Sequence, residues 1–326
     1  MTAVIRTEKL TRDFGKTRAV DSLDLEVEAG EVFGLLGPNG AGKTTTVGML
    51  TTTVRPTSGT AVVDGHSITK EPGLVRRSVG IVFQELSLDG MLTGRENLEL
   101  SGQLYGVARA ERRRRIAELL ELVDLSARAD SQVKTYSGGM KRRLELARGL
   151  LHRPRVLFMD EPTLGLDPQS REVIWQYIAA MAEAEGTTIV LTTHYMEEAE
   201  RMCDRIAIID RGRIIREGTP EALTTALGGD VVRVRAARID EAALRALPFV
   251  SKLQLEPGGA TIAMERASVN LPALLAALGP IDAIEVRRPT LNDVFLASTG
   301  RHIRDEAATG TWLDDAMRLV VQGDRR

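Results

Sequence analysis

Cysteine is nearly missing from this 326-residue sequence, whose one thiol is Cys203. That excludes an intramolecular disulfide, and no zinc site can be assembled around it by spacing. Cys203 is expected as a partly buried helix residue in a reducing compartment. A surplus of either charge is lacking too. The 43 Lys+Arg and 45 Asp+Glu leave a net charge of −2, so no nucleic acid partner is expected and no anionic surface is favoured, since both call for a basic excess. No apolar run approaches the ~18 residues that span a bilayer, and the opening MTAVIRTEKLTRD lacks the apolar core of a signal peptide. The expectation is a cytoplasmic protein that reaches a membrane only through a partner. Aromatics are scarce at 4%, so one placed in a polar loop stands out.

What is present is ordinary for a globular protein, with 43% apolar and 27% charged residues and a length that suggests two domains. One stretch organises the rest. Gly37, Pro38, Asn39, Gly40, Ala41, Gly42, Lys43, Thr44 and Thr45 fit G-x-x-x-x-G-K-[ST] directly after the apolar run 32–36, the strand–turn–helix context that the motif requires. The glycines let the backbone curl around a phosphate and aim N–H groups inward, and the following helix adds its positive N-terminal end. Lys43 is placed to reach β- and γ-phosphates, and the Thr44 hydroxyl to bind Mg²⁺.

Further along the chain, Phe14 lies beside glycine in RDFGKTRAV and offers a face for stacking on a nucleobase. Strand 79–83 ends at Gln84, and a mostly helical block covers 86–152. The Arg112–Arg115 run in it reads as a solvated helix face, with Glu111/Arg115 and Arg114/Glu118 as i,i+4 pairs. Ser137, Gly138 and Gly139 precede a helix and form a second potential anion site. The apolar strand VLFMD then delivers Asp160 and Glu161 at its end. Buried acids at a strand end in an α/β sheet are expensive unless they serve a cation or a proton transfer, a structural ion pair being the plainer alternative. Asp160 suits a Mg²⁺ ligand and Glu161 a base for water, while the apolar strand 187–192 leads to His194 on the same expected edge.

Gly228 and Gly229 mark the expected boundary. After it, the pattern β-α-β-β-α-β over 229–300 predicts a ferredoxin-like α+β domain. The domain lacks cysteine, histidine and tyrosine, so a regulatory or dimerisation role is expected. The polar tail 301–326 contains a short amphipathic stretch with Trp312, Leu313, Ala316, Met317 and Val320.

Taken in order, these motifs resemble the ATP-binding cassette of ABC transporters over residues 4–227. Within that family the chain is similar to the separate ATPase subunits of daunorubicin-resistance-type exporters, a likeness supported by PTLNDVFLASTG at 289–300. The resemblance implies an α/β fold, a P-loop NTPase cassette with a mixed sheet core and helical subdomain. It also implies an ATPase using ATP and Mg²⁺. Phe14 would stack on adenine, Gln84 would sense Mg²⁺ and the attacking water, and Asp160 would accompany the metal. Glu161 would be the general base, and His194 would contact the γ-phosphate. Ser137, Gly138 and Gly139 would cap the γ-phosphate of ATP held by a second copy, and Asp167 would belong to the loop crossing that interface. The implied partners are a homodimer with ATP at its interface and a separate integral-membrane permease that tethers the chain to the cytoplasmic face of the membrane.

The sequence departs from the commonest family pattern at Met140, where glutamine is usual, at Leu164 and Gly165, and at Phe14 in place of tyrosine. None of these removes an essential group. A non-transport ABC ATPase of DNA repair or translation is the rival reading, but its paired cassettes, long insertions and basic surfaces are not found here.

Overall fold

The computed structural model describes residues 3–227, 229–236 and 239–299, so the amphipathic stretch expected at 312–320 lies outside the described residues. The chain divides into two compact units between Glu217 and Gly218.

The first unit contains two sheets. One is antiparallel, with Ala3–Phe14 paired to Thr17–Glu28 on one side and to Ser58–Val63 on the other. The second has six strands in the order Arg213–Gly218, Arg205–Asp210, Val32–Leu36, Thr188–Thr193, Val156–Asp160, Val79–Val82. From Arg205–Asp210 across to Val79–Val82 the neighbours are parallel. Parallel strands covered on both faces read as continuous apolar runs, and every residue of Val156–Asp160 and Thr188–Thr193 is buried. One core joins the sheets, with Ile5, Val27 and Val63 from the first, Phe33, Phe158 and Val190 from the second, and Met49 and Leu50 from the helix Lys43–Leu50. Each fully buried side chain of this kind contributes about 1.5–3 kcal/mol. Burial on this scale fixes the helix that starts at the phosphate loop. Cys203 is also buried, and its Sγ would lie 2.7 Å from a Cβ on Gly34. Its thiol fills space that a side chain on the central strand would take.

The helical block contains Gly94–Leu104, Arg109–Leu122 and Gly138–Leu150. Thr93 and Glu96 close a capping box at its first helix. The expectation of a solvated arginine face requires correction. Arg113 and Arg114 are exposed, but Arg112 and Arg115 are buried. Arg112 donates to Glu99 at 2.6 Å and to the Val107 carbonyl at 2.7 Å. It can do so because Gly102 has no side chain, since a Cβ there would meet Arg112 Cδ at 2.3 Å.

The second unit has the strand order Val250–Glu256, Gly259–Met264, Asp230–Arg235, Ala283–Arg287, antiparallel throughout. With the helices Glu241–Arg245 and Ala267–Leu278 in the connections, this is the ferredoxin-like arrangement. Its core is Val232, Val234, Ile262, Met264, Leu244 and Leu274. The unit begins before the Gly228–Gly229 pair because the helix Pro220–Thr225, expected to close the first domain, packs on Leu291–Thr299 of the second.

Candidate active site

The parallel sheet brings Gly37, Asp160 and Thr193 to one carboxyl-terminal edge, where α/β folds place their ligands. Gly37 donates to the Thr193 carbonyl at 3.3 Å, and a Cβ on it would strike the Ile209 carbonyl at 2.3 Å. Gly42 stands at the helix N-cap with φ 107° and offers no capping side chain. The first-turn N–H groups are thereby left for an anion.

Lys43 is buried at the centre of this edge. Its Nζ donates to the carbonyls of Gly37 at 2.8 Å and Pro38 at 3.2 Å and lies 3.5 Å from Glu161 Oε1. Burial lowers its pKa, and the nearby Glu161 charge acts in the opposite direction. Thr44 donates to Asp160 Oδ1 at 3.2 Å, and the Thr192 hydroxyl donates to the same oxygen. This is a set of hard oxygen donors. No cluster of three or more His, Cys, Asp or Glu suited to a metal occurs among the described residues. One carboxylate and one hydroxyl are the sparse protein contribution that Mg²⁺ accepts when phosphates complete its shell. The residues therefore fit Mg²⁺ with a nucleotide.

Glu161 directly follows the strand and adopts φ 47°, a left-handed conformation costly for a side-chain-bearing residue. It is held there from several directions. Its N–H reaches both the carbonyl and the hydroxyl of Thr192, at 3.1 and 3.0 Å. Its Oε1 accepts from His194 Nδ1 at 3.1 Å. The His194 bond first, and then the Lys43 charge, hold this carboxyl below the usual range against the opposing effect of burial. With Nδ1 donating to Glu161, His194 can donate from Nε2 to a phosphate oxygen only as the protonated ring.

Two buried groups that the sequence reading did not single out frame this pair. Glu198 accepts from the hydroxyls of Thr163 and Thr193, linking the residues after Glu161 to those before His194; burial raises its pKa. Arg142 donates from Nε to the Pro162 carbonyl at 2.5 Å and from Nη1 to the Phe83 carbonyl at 2.6 Å. Its Nη2 reaches the carbonyls of Glu161 at 3.3 Å and Asp160 at 3.5 Å. Burial lowers its pKa to about 10. The only sequence signal for it was a Lys-Arg-Arg run whose middle residue falls on the helix face that is buried.

The remaining expected residues lie around this centre. Gln84 follows Val79–Val82, the strand beside Val156–Asp160, and is exposed. Phe14 ends its strand opposite Thr17 and is 47% exposed, with the Arg12 guanidinium 4.3 Å from its ring centroid. Ser137 caps its helix by accepting from Met140 N–H at 3.2 Å. Asp167 caps Pro168–Glu185, accepting from Ser170 N–H at 3.0 Å and its hydroxyl at 2.6 Å. Those bonds lower the Asp167 pKa. Among the described residues, Ser137, Gly138, Gly139 and Asp167 make no hydrogen bond to the phosphate loop of their own chain.

Residues 20–164 match the family described as ABC transporter, and residues 218–299 match the ATP-binding protein DrrA1-3-like C-terminal domain. The daunorubicin/doxorubicin resistance ATP-binding protein DrrA of Streptomyces peucetius is 44% identical over 322 residues, covering 94% of this chain and 96% of that protein. The chain belongs to the ABC transporter ATP-binding subunits. The linearmycin resistance ATP-binding protein LnrL of Bacillus subtilis is 40% identical, with 93% of this chain and 100% of that protein covered. Among solved structures, the cassette cbiO1 of Clostridium perfringens superposes with a TM-score of 0.64 at 28% identity, covering 69% of this chain and 92% of that one. A cassette solved as a dimer after hydrolysis, with ADP and Pi, gives 0.59 at 29% identity, covering 66% and 98%. As a member of this family the chain is an ATPase that uses ATP and Mg²⁺.

Proposed function

We propose that this subunit hydrolyses ATP within a head-to-tail homodimer and thereby drives efflux of a drug-like or lipid-like compound through a separate integral-membrane permease. The observation that carries this reading is near end-to-end similarity to resistance and export subunits across both units. No helix among the described residues is long and apolar enough to cross a membrane. Residues 83–105 carry apolar side chains in the open, including Leu104 at 79% and Met91 at 64% exposure, with Phe83, Leu86, Leu100 and Tyr105. Such a surface supports docking of a permease, which would hold the subunit at the cytoplasmic face of the membrane.

Within the dimer, each copy binds its ATP through the amides of Gly37–Thr45, with Lys43 on the β- and γ-phosphates and Phe14 stacked on adenine. Thr44, Asp160 and Gln84 are assigned to Mg²⁺, which when bound neutralises charge on the phosphate oxygens. Glu161 orients water and accepts its proton, and His194 donates to the γ-phosphate. Ser137, Gly138 and Gly139 of the second copy supply a hydroxyl and helix N-terminal amides to the opposite side of the nucleotide. Because the transition state is loose, catalysis consists of positioning and electrostatic stabilisation.

Affinity purification of the full chain from detergent-solubilised membranes provides the test. The expected result is recovery with a polytopic membrane protein whose deletion sensitises cells to amphiphilic compounds and whose addition stimulates the ATPase. Recovery without any membrane protein, together with an ATPase that membranes leave unstimulated, refutes the proposal.

A further inference from the structure

Arg142 lies one turn inside the helix that Ser137 caps, yet its guanidinium serves a different part of the molecule. All its described hydrogen bonds go to main-chain carbonyls at the ends of two adjacent parallel strands, those of Phe83, Asp160, Glu161 and Pro162. Strand-end carbonyls have passed the last ladder partner and need donors. A planar guanidinium can serve several at once in a fixed geometry, which an ammonium cannot. Two of the residues it holds determine where catalytic groups stand. Phe83 immediately precedes Gln84, and Glu161 is the acid whose backbone sits at φ 47°. The Glu161 N–H is fixed by Thr192, and its C=O by Arg142.

We infer that Arg142 is a positioning residue that couples the two ATP sites of the dimer. Its helix begins at Ser137, which serves the ATP of the other copy, while its guanidinium fixes Glu161 and the approach to Gln84, which serve the ATP of its own. A shift of the Ser137 helix on closure over one nucleotide is carried through a single buried side chain to the base beside the other. This rests on the head-to-tail reading above. The fold alone does not demand such a side chain. Both strands it joins are already paired in register, and the bonds of Arg142 to Phe83, Glu161 and Pro162 lie beyond their ends.

The test compares ATPase rate against ATP concentration for the full-length wild type, Arg142→Gln and Arg142→Lys, with binding of a fluorescent ATP analogue measured separately. For Arg142→Gln, kcat should fall tenfold or more and the Hill coefficient should drop from above one to one, while the analogue's Kd shifts less than threefold. Arg142→Lys keeps the charge without the fork and should recover part of kcat but not the cooperativity. The inference is overturned if Arg142→Gln keeps kcat within twofold of wild type with its Hill coefficient unchanged, or if binding weakens in step with kcat. Should Arg142→Gln fail to fold, Arg142→Lys decides: wild-type cooperativity in that variant overturns the coupling. Sizing chromatography of Glu161→Gln with ATP separates the two readings. Absence of a dimer there refutes the head-to-tail arrangement itself, whereas a dimer combined with an unaffected Arg142→Gln refutes only the coupling.

Discussion

Replacing Glu161 by Gln tests the centre of the site, because it removes a charge without altering shape. The carboxylate lies 3.5 Å from Lys43 Nζ and 3.1 Å from His194 Nδ1. At an effective dielectric near 20, the attraction to Lys43 is about 5 kcal/mol in gross terms, most of it offset by the desolvation of both partners. Glutamine keeps an oxygen for His194 and can occupy the same backbone conformation, but it cannot take a proton from water. Loss of a positioned base lowers turnover roughly 10² to 10⁴-fold, which corresponds to about 3–5 kcal/mol on the barrier. ATP affinity should move the other way. Lys43 is now divided between loop carbonyls and Glu161, and removing the competing charge should tighten ATP binding by up to about tenfold, or about 1.4 kcal/mol. Phosphate release reports the first effect and equilibrium binding of a fluorescent ATP analogue the second. Turnover within threefold of wild type, or binding ten times weaker, would falsify this account of Glu161.

The same carboxyl predicts a pH dependence. Its pKa in the folded protein lies below the ordinary value of 4.5, owing first to His194 and then to Lys43. The stability it contributes is complete above 4.5 and is lost as pH falls through the lower folded value. Thermal melts of the nucleotide-free chain between about pH 7 and pH 3 should show a shallower acid-side decline for Glu161→Gln than for wild type, and identical slopes would refute the assigned direction. In the phosphate loop, Gly42→Ala places a Cβ 2.5 Å from the Ala19 carbonyl at φ 107°, whereas Gly40→Ala at φ 79° meets nothing within 4 Å. The first should cost about 2–3 kcal/mol or more and the second about 1–2, ranked by thermal melting, and equal losses would count against the close-approach argument.

The features that sequence made legible are those written in consecutive residues. A phosphate loop, a serine cap and an acid pair at the end of an apolar strand each carry their chemistry locally, and Lys43, Ser137, Asp160 and Glu161 stand on the elements expected of them. Contacts between distant segments were not legible. Arg142 reaches Phe83 across 59 positions, and Glu198 reaches Thr163 across 35. No spacing rule encodes either link. Arg112 was misread because i,i+4 pairing considers only its own helix, while the space and the carboxylate that hold it come from Gly102 and Glu99 on another. The two compact units divide between Glu217 and Gly218, ahead of the glycine pair. A glycine pair signals a turn, but where one unit ends is set by what the helix Pro220–Thr225 packs on.

Cys203 has a consequence for experiment. Its sulfur fills the space over Gly34, and burial pushes the thiol pKa up, so at neutral pH it is neither an exposed nor an ionised nucleophile. In the folded chain a maleimide or a spin label therefore meets a silent background. A new cysteine at an exposed position outside the nucleotide contacts, such as Lys16 or Lys134, can report nucleotide-driven closure with the native cysteine left in place.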